Sequence, residues 1–208
     1  MEIVLKFLKD IKKHNDRNWF EKNKQRYLDA KDFFEGFVSE TLDEIIKFDK
    51  SLASLEPKKM TFRIYRDVRF SKDKRPYKTN MGASFSPAGK GMGIPGHYLH
   101  IEPGNKSFIA TGLFMPEAEK LAKVRQEIDY NGDRLEKIMK DKKFKKYFDE
   151  FWDGDALKTA PKGYPKDHPH VKWLKLRSFL VEHTFTDKQV LDKKFYKTFA
   201  DAAKAAKP

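Results

Sequence analysis

The chain has 208 residues, 39% of them hydrophobic and 14% aromatic, too apolar for a disordered chain and long enough to bury well over half of its unfolded surface. Its 44 Lys and Arg outnumber 31 Asp and Glu, for a net charge of +13, and such an excess draws anions, whether nucleic acid, phosphates or acidic surfaces. There is no cysteine, which excludes disulfides and thiolate chemistry.

Residues 2–14 read as a helix, with Ile3, Leu5, Leu8 and Ile11 recurring at helical spacing. Charges interrupt these apolar positions, unlike the unbroken run of a signal peptide, and no stretch approaches the length of a membrane span. A soluble cytoplasmic protein with no membrane partner is expected. After "HNDRN" a second, long helix carries Trp19, Phe20, Tyr27, Phe34, Phe37, Leu42 and Ile45. Asn15 or Asp16 is its candidate cap, and Gly36 its candidate bend. Residues 1–50 thus read as helical.

From Met60 to Phe114 the texture is that of strands. "MTFRIYRDVRF" alternates, and "TNMGASFSP" puts Met81, Ala83 and Phe85 on one face. "HYLHIEP" and "KSFIATGLF" follow, parted by the turn "PGN". "SPAGKGMGIPG" is a glycine-rich loop. Short connections between successive strands predict an antiparallel sheet over 58–115. Helices return after Pro116, a good first-turn residue, as "PEAEKLAKVRQEID" and "DRLEKIMKDKKFKKYFDEFW". "GDALKTAPKGYPKDHPH" reads as a loop, and "VKWLKLRSFLVEHTF" as a helical turn followed by a candidate fifth strand. A polar amphipathic helix runs from Asp187 to about Ala203. The order predicts an α+β fold: N-terminal helices, a central antiparallel sheet of four to five strands, then C-terminal helices. One domain over 1–208 is expected.

The segment "FRIYRDVRFSKDKRPYK", residues 62–78, interleaves arginines and lysines with strand-forming apolar residues. Read as a strand, it puts Arg66 on the apolar face with Phe62, Ile64, Val68 and Phe70. Arg63, Tyr65, Asp67 and Arg69 share the other face. An unpaired charge on the apolar face is very costly, so Arg66 requires a carboxylate partner or a bulge that re-aims it. Arg63 and Arg69 are spaced to grip one anion with their planar forks. The following turn adds Lys72, Lys74, Arg75 and Lys78, stiffened by Pro76. Tyr77 offers a ring and a hydroxyl to close the site.

No Gly-rich phosphate loop, dinucleotide fingerprint or framed serine nucleophile is present, and "GKGMGIPG" runs into a strand rather than a helix. "KDHPH" supplies Asp167, His168 and His170; Pro169 and the lack of a third ligand argue against a metal. An Asp167–His168 pair, with His168 as acid or base, is the alternative. Tyr98, His100 and Glu102 share one strand face, suited either to proton transfer or to solvent. The lysines at 137–146 read as a solvated helix face beside a core of Phe144, Tyr147, Phe148 and Phe151.

"RIYRDVRFSKDKRPYKTN", with "NDRNWFEKNKQRY" before it and "PKGYPKDHP" after it, resembles the uncharacterised bacterial family called domain of unknown function 2461. The resemblance runs from the first helix to about Leu180. It implies that Arg66, Asp67, Arg69, Phe70, Ser71, Asp73, Lys74, Pro76, Tyr77 and Lys78 belong to a shared motif, and it implies no activity. The leading expectation is a sheet-borne pocket for a small, phosphorylated or otherwise anionic ligand, held by Arg63, Arg66, Arg69, Lys74 and Lys78. Asp67 or Asp73 would orient the cations or act as base, and His168 would carry protons if the protein is an enzyme. No cofactor or metal is expected. Two alternatives use the same residues. In one, Tyr65 and Tyr77 stack on nucleic-acid bases. In the other, Arg66–Asp67 and Asp73–Lys74 form a structural network and function lies with a protein partner.

Overall fold

The computed structural model describes residues 1–91 and 93–207; Met92 of the glycine-rich loop lies outside the described residues. Helices α1 (Glu2–Lys13), α2 (Arg17–Lys22) and α3 (Lys24–Ile46) lead, followed by a 3-10 turn at Lys50–Leu52 and the short α4 (Pro57–Met60). The sheet strands are β1 (Met81–Phe85), β2 (Gly96–Ile101) and β3 (Ser107–Leu113). Then come α5 (Ala118–Lys140), α6 (Lys142–Lys145), α7 (Val171–Leu174), β4 (Phe179–Phe185), α8 (Asp187–Leu191) and α9 (Phe195–Ala205). The sheet is antiparallel throughout, in the order β1-β2-β3-β4. The α+β expectation is met.

The expected strand over 60–70 does not form. Met60 ends α4; the chain then meets β1 at a single bridge, Thr61 with Ala83, and closes on itself at another, Tyr65 with Tyr77. The alternation of apolar residues is real but serves a loop: Ile64 is buried while Phe70 is 97% exposed. The fifth candidate strand does form, as β4. The second helix breaks at Asn23, with φ −112° and ψ 16°, not at Gly36, which lies within α3. Asp16 caps α2 by accepting from the Trp19 amide at 2.9 Å. Asn15 is used elsewhere: it exchanges two hydrogen bonds with the Tyr77 backbone, at 2.9 and 3.0 Å.

Period-two alternation sorts the strands into two faces. Ala83, Phe85, Leu99, Ile101, Ile109, Val181 and Phe185 are buried on one face, in one cluster with Leu8 and Ile11 of α1, Phe34 and Val38 of α3, and Phe195 and Phe199 of α9. Phe85 and Phe199 rings lie 5.6 Å apart, and Phe185 and Phe195 rings 5.0 Å apart. The opposite face, carrying Ser84, Tyr98, Ala110 and Glu182 in cross-strand register, borders a cavity. Its two edges are shielded. Thr61 bridges β1, and Phe151 bridges β4, with the Trp152 amide donating to the Leu180 carbonyl at 2.7 Å.

Two glycines shape the open face. Gly112 has φ +129°, and a Cβ there would sit 2.0 Å from the Phe179 carbonyl oxygen, so only glycine lets β3 and β4 approach. A Cβ at Gly82 would lie 2.5 Å from the Tyr98 hydroxyl; its absence makes room for that ring.

His97 points into the core, with Nδ1 2.7 Å from Thr111 Oγ1. Burial pushes its pKa from 6.5 down to about 4. The unfolded chain therefore binds more protons between these two values, and stability falls as pH drops from the upper one to the lower. The expected loss from this group between neutral pH and pH 4 is about 3 kcal/mol. Urea denaturation of wild type and His97→Gln at both pH values measures it; an unchanged slope in the variant would refute it.

Candidate functional site

Residues 62–78 fold as a loop stitched by its own charges. The Arg66 guanidinium, 24% exposed, pairs with Asp73 at 2.8 Å. It also donates to the Arg75 carbonyl at 3.0 Å and to Ser71 Oγ at 3.4 Å. Asp73 in addition takes a forked pair of bonds from Arg75, and Asp67 takes one from Arg69. The Arg75 hydrogen bonds hold the Asp73 carboxyl well below its usual value, and those of Arg69 lower that of Asp67. Lys74 Nζ donates to the Val68 carbonyl at 3.0 Å.

The arginines proposed to grip a ligand thus grip the loop. Arg66 finds its carboxylate seven positions along the chain, at Asp73, rather than at adjacent Asp67. Arg63 and Arg69 do not share a strand face, because there is no strand. Asp67 and Asp73 are satisfied by guanidinium groups, and such paired carboxylates are poor proton acceptors. Tyr77 is buried, its ring stacked on Phe20 at 4.1 Å and 15°, and it anchors the loop to α2. Tyr65 packs edge-on against Phe20 at 5.7 Å.

Of the loop's charged residues, Lys78 alone lines the cavity on the open sheet face. That cavity measures about 550 Å³ and is lined by Phe62, Lys78, Lys90, Ile94, Tyr98, Phe108, Phe114, Leu180 and Glu182, among others. The Lys78 and Lys90 ammonium groups lie 5.5 and 5.7 Å from the Phe62 ring centroid, in cation–π range. Lys90 Nζ also donates to the Thr61 carbonyl at 3.0 Å. Among the described residues neither lysine makes an ion pair. Burial, then Arg63 and Lys90, lower the Lys78 pKa from its ordinary 10.5. Glu182 borders the same cavity, and desolvation raises its carboxyl above 4.5.

Tyr98, His100 and Glu102 are wired together on this face. The Tyr98 hydroxyl and Asn80 Nδ2 each lie 3.3 Å from His100 Nδ1, and His100 Nε2 lies 3.2 Å from Glu102 Oε2. His100 stacks on Phe108 at 4.5 Å and 16°. Burial lowers the His100 pKa, so the ring is a neutral relay that accepts at Nδ1 and donates at Nε2. Burial pushes Tyr98 up to about 12, which keeps its hydroxyl protonated.

His168 stands apart from the cavity. Its Nε2 donates to Asp129 of α5 at 3.0 Å, and its Nδ1 accepts from the His170 amide at 3.0 Å. The partner is Asp129, not Asp167. Both ring nitrogens are occupied, so the geometry gives His168 the work of tying the 161–170 loop to α5. His170 repeats the pattern one turn on, 3.3 Å from Asp133. No cluster of three metal-ligating side chains occurs among the described residues, nor any helix long and apolar enough to cross a membrane.

Sequence reasoning missed Lys90, Phe108 and Glu182. Lys90 was hidden in a glycine-rich loop, where only its place between two glycines set it apart. Phe108 and Glu182 reach the site through strand register.

Comparison with family models matches residues 3–208 to the family described as a conserved hypothetical protein, DUF2461. The chain belongs to this family. The comparisons with curated proteins and with solved structures return no match. In this DUF2461 chain, the R-D-x-R-F-S-x-D-K-x-P-Y-K run is the stitched loop, and its final lysine is the residue that enters the cavity.

Arg66→Met removes the central stitch. Local opening of the loop is expected to rise roughly tenfold, read as faster tryptic cleavage at Arg69, Lys72 and Lys74. Arg69→Met, at an exposed pair, is expected to change global stability by less than about 0.5 kcal/mol. Equal cleavage of wild type and Arg66→Met would dismiss the stitching account.

Proposed function

We propose that the open face of the sheet binds a small organic anion with a flat apolar body. The observation that carries this reading is the pair of lysines, Lys78 and Lys90, flanking Phe62 at the cavity with no carboxylate assigned to either. Like charges held together at a half-buried spot repel one another, and an anion between them relieves the repulsion. Elsewhere the loop provides every arginine of its tip with a carboxylate, so the lack of one here is selective. The cavity walls favour an apolar partner: Tyr98, Phe108, Phe114 and Leu180 offer rings and methyl groups, with polar groups few and convergent. The anionic head therefore meets the lysines and the body lies along the strands.

A nucleic-acid reading keeps one supporting feature, the exposed Phe70 at the loop tip with the Arg69 guanidinium 5.9 Å from its ring. It loses Tyr77, which is buried. The cationic tip is also largely spent on its own aspartates. The small-anion reading has the more complete site.

Calorimetric titration with 3-phenylpropionate, phenyl phosphate and inorganic phosphate tests it. The two aromatic anions are expected to bind and inorganic phosphate to bind far more weakly. Lys78→Met and Lys90→Met are each expected to weaken binding about 10–100-fold, from roughly 1.5–3 kcal/mol per charged hydrogen bond. A shallow dependence on salt is expected, in contrast to the steep loss seen for polyanions. Wild-type affinity retained in both lysine variants would remove the basis of the proposal.

A further inference from the structure

The geometry points to Lys78 as a covalent anchor: we propose that it captures the carbonyl of a 2-oxo acid with an apolar side chain as a Schiff base, while Lys90 holds the carboxylate. This rests on the small-anion reading of the cavity and names the ligand class within it.

The two lysines are not equivalent. Lys90 is exposed and its ammonium group is tethered to the Thr61 carbonyl at 3.0 Å, so it serves as a fixed positive charge. Lys78 is half-buried and lines the cavity. Its ammonium group rests over the Phe62 ring, and among the described residues it has neither a hydrogen-bond acceptor nor a carboxylate. The Phe62 ring is the one group described there that favours its charged form. Arg63 and Lys90 are the charged groups acting on it, both positive, and they act with burial to favour the neutral amine. A desolvated lysine beside other cations is the setting in which an amine attacks a carbonyl near neutral pH.

Why a 2-oxo acid? Its carboxylate and carbonyl are on adjacent carbons, matching one charge-holding and one nucleophilic lysine at the same rim. Its side chain then faces Tyr98 and Phe108. Tyr98 keeps its hydroxyl proton at neutral pH; with Asn80 Nδ2 donating to His100 Nδ1, that proton is free to supply a hydrogen bond to the departing oxygen. The step balances without a redox partner. The Lys78 nitrogen lone pair bonds to the carbonyl carbon, and the C–O π pair moves to oxygen and takes up a proton. That proton is one of the two on the attacking nitrogen, so the carbinolamine carries one N–H and one O–H; it then loses the hydroxyl with the remaining nitrogen proton as one water, leaving C=N. Hydrolysis reverses it.

The test uses the full chain with phenylpyruvate and cyanoborohydride, followed by intact mass and peptide mapping. The expected result is a single reduced adduct on the peptide holding Lys78. Its loss is expected in Lys78→Arg and much slower trapping in Lys90→Met. 3-Phenylpropionate, which has the ring and the carboxylate but no carbonyl, is expected to raise the melting temperature of wild type and leave no adduct. If 3-phenylpropionate stabilises wild type but phenylpyruvate leaves no adduct at Lys78, or labels surface lysines equally, the covalent proposal is overturned and the anion reading stands. If neither compound binds, both fall. Should Lys78→Arg fail to fold, the wild-type peptide map still decides the matter.

Discussion

In an antiparallel strand every second side chain faces the same way, and the four strands here use that rule to build two unlike surfaces. Ala83, Phe85, Leu99, Ile101, Ile109, Val181 and Phe185 are large or tightly packed and lie under α1, α3 and α9. The other surface carries several small residues, with Gly96 opposite Gly112 and Tyr98 between Ser84 and Ala110, and Gly82 on the same face. Small residues leave a concavity, and the larger Tyr98 and Phe108 stand within it. Tyr98 fits only because Gly82 has no Cβ. The cavity is thus a consequence of which strand residues are small, before any charge is considered.

Charge then divides the 62–78 segment into two parts. At its tip the arginines and aspartates satisfy one another, through Arg66–Asp73, Arg75–Asp73 and Arg69–Asp67. Exposed pairs of this kind add little to global stability. What they set is shape: Arg66, the least exposed of them, draws the two arms of the loop together. The Tyr77 ring on Phe20, with Asn15 bonded to the Tyr77 backbone, holds the base of the loop against the helices. Lys78 follows immediately and is delivered to the open face. The loop's rigidity and the placement of Lys78 are therefore one structural fact.

Much of the fold was legible. The apolar period of α1, the alternation in β2 and β3, the "PGN" turn and the helical turn before β4 all follow from local pattern. Gly104 and Asn105 in that turn take positive φ, and their amides are capped by the Asp187 carboxylate. The failure at 60–70 has a physical cause. Alternation marks alternating burial, and a loop crossing the edge of a sheet can bury Ile64 and Tyr77 without forming a ladder. The site was less legible. Arg63, Arg66, Arg69 and Lys74 were chosen by charge and residue type, which say nothing of where the neutralising carboxylate stands. Lys78 was chosen by the same reasoning; Lys90, which borders the same cavity, was not, because the two come together only when the glycine-rich loop folds beside Phe62.

Sequence alone determined the properties that depend on near neighbours: the helical and strand segments, the α+β order, the excess of positive charge and the stiff basic motif of the family. These arise from spacing along the chain and from composition. Only the tertiary structure decided which cations are spent on internal carboxylates and which remain unpaired over a cavity. It also decided that His168 ties a loop to α5 while His100 joins Tyr98 to Glu102. Pairing of charges is set by distance in space, and the Coulomb and desolvation terms that select a partner act between residues that the sequence keeps far apart.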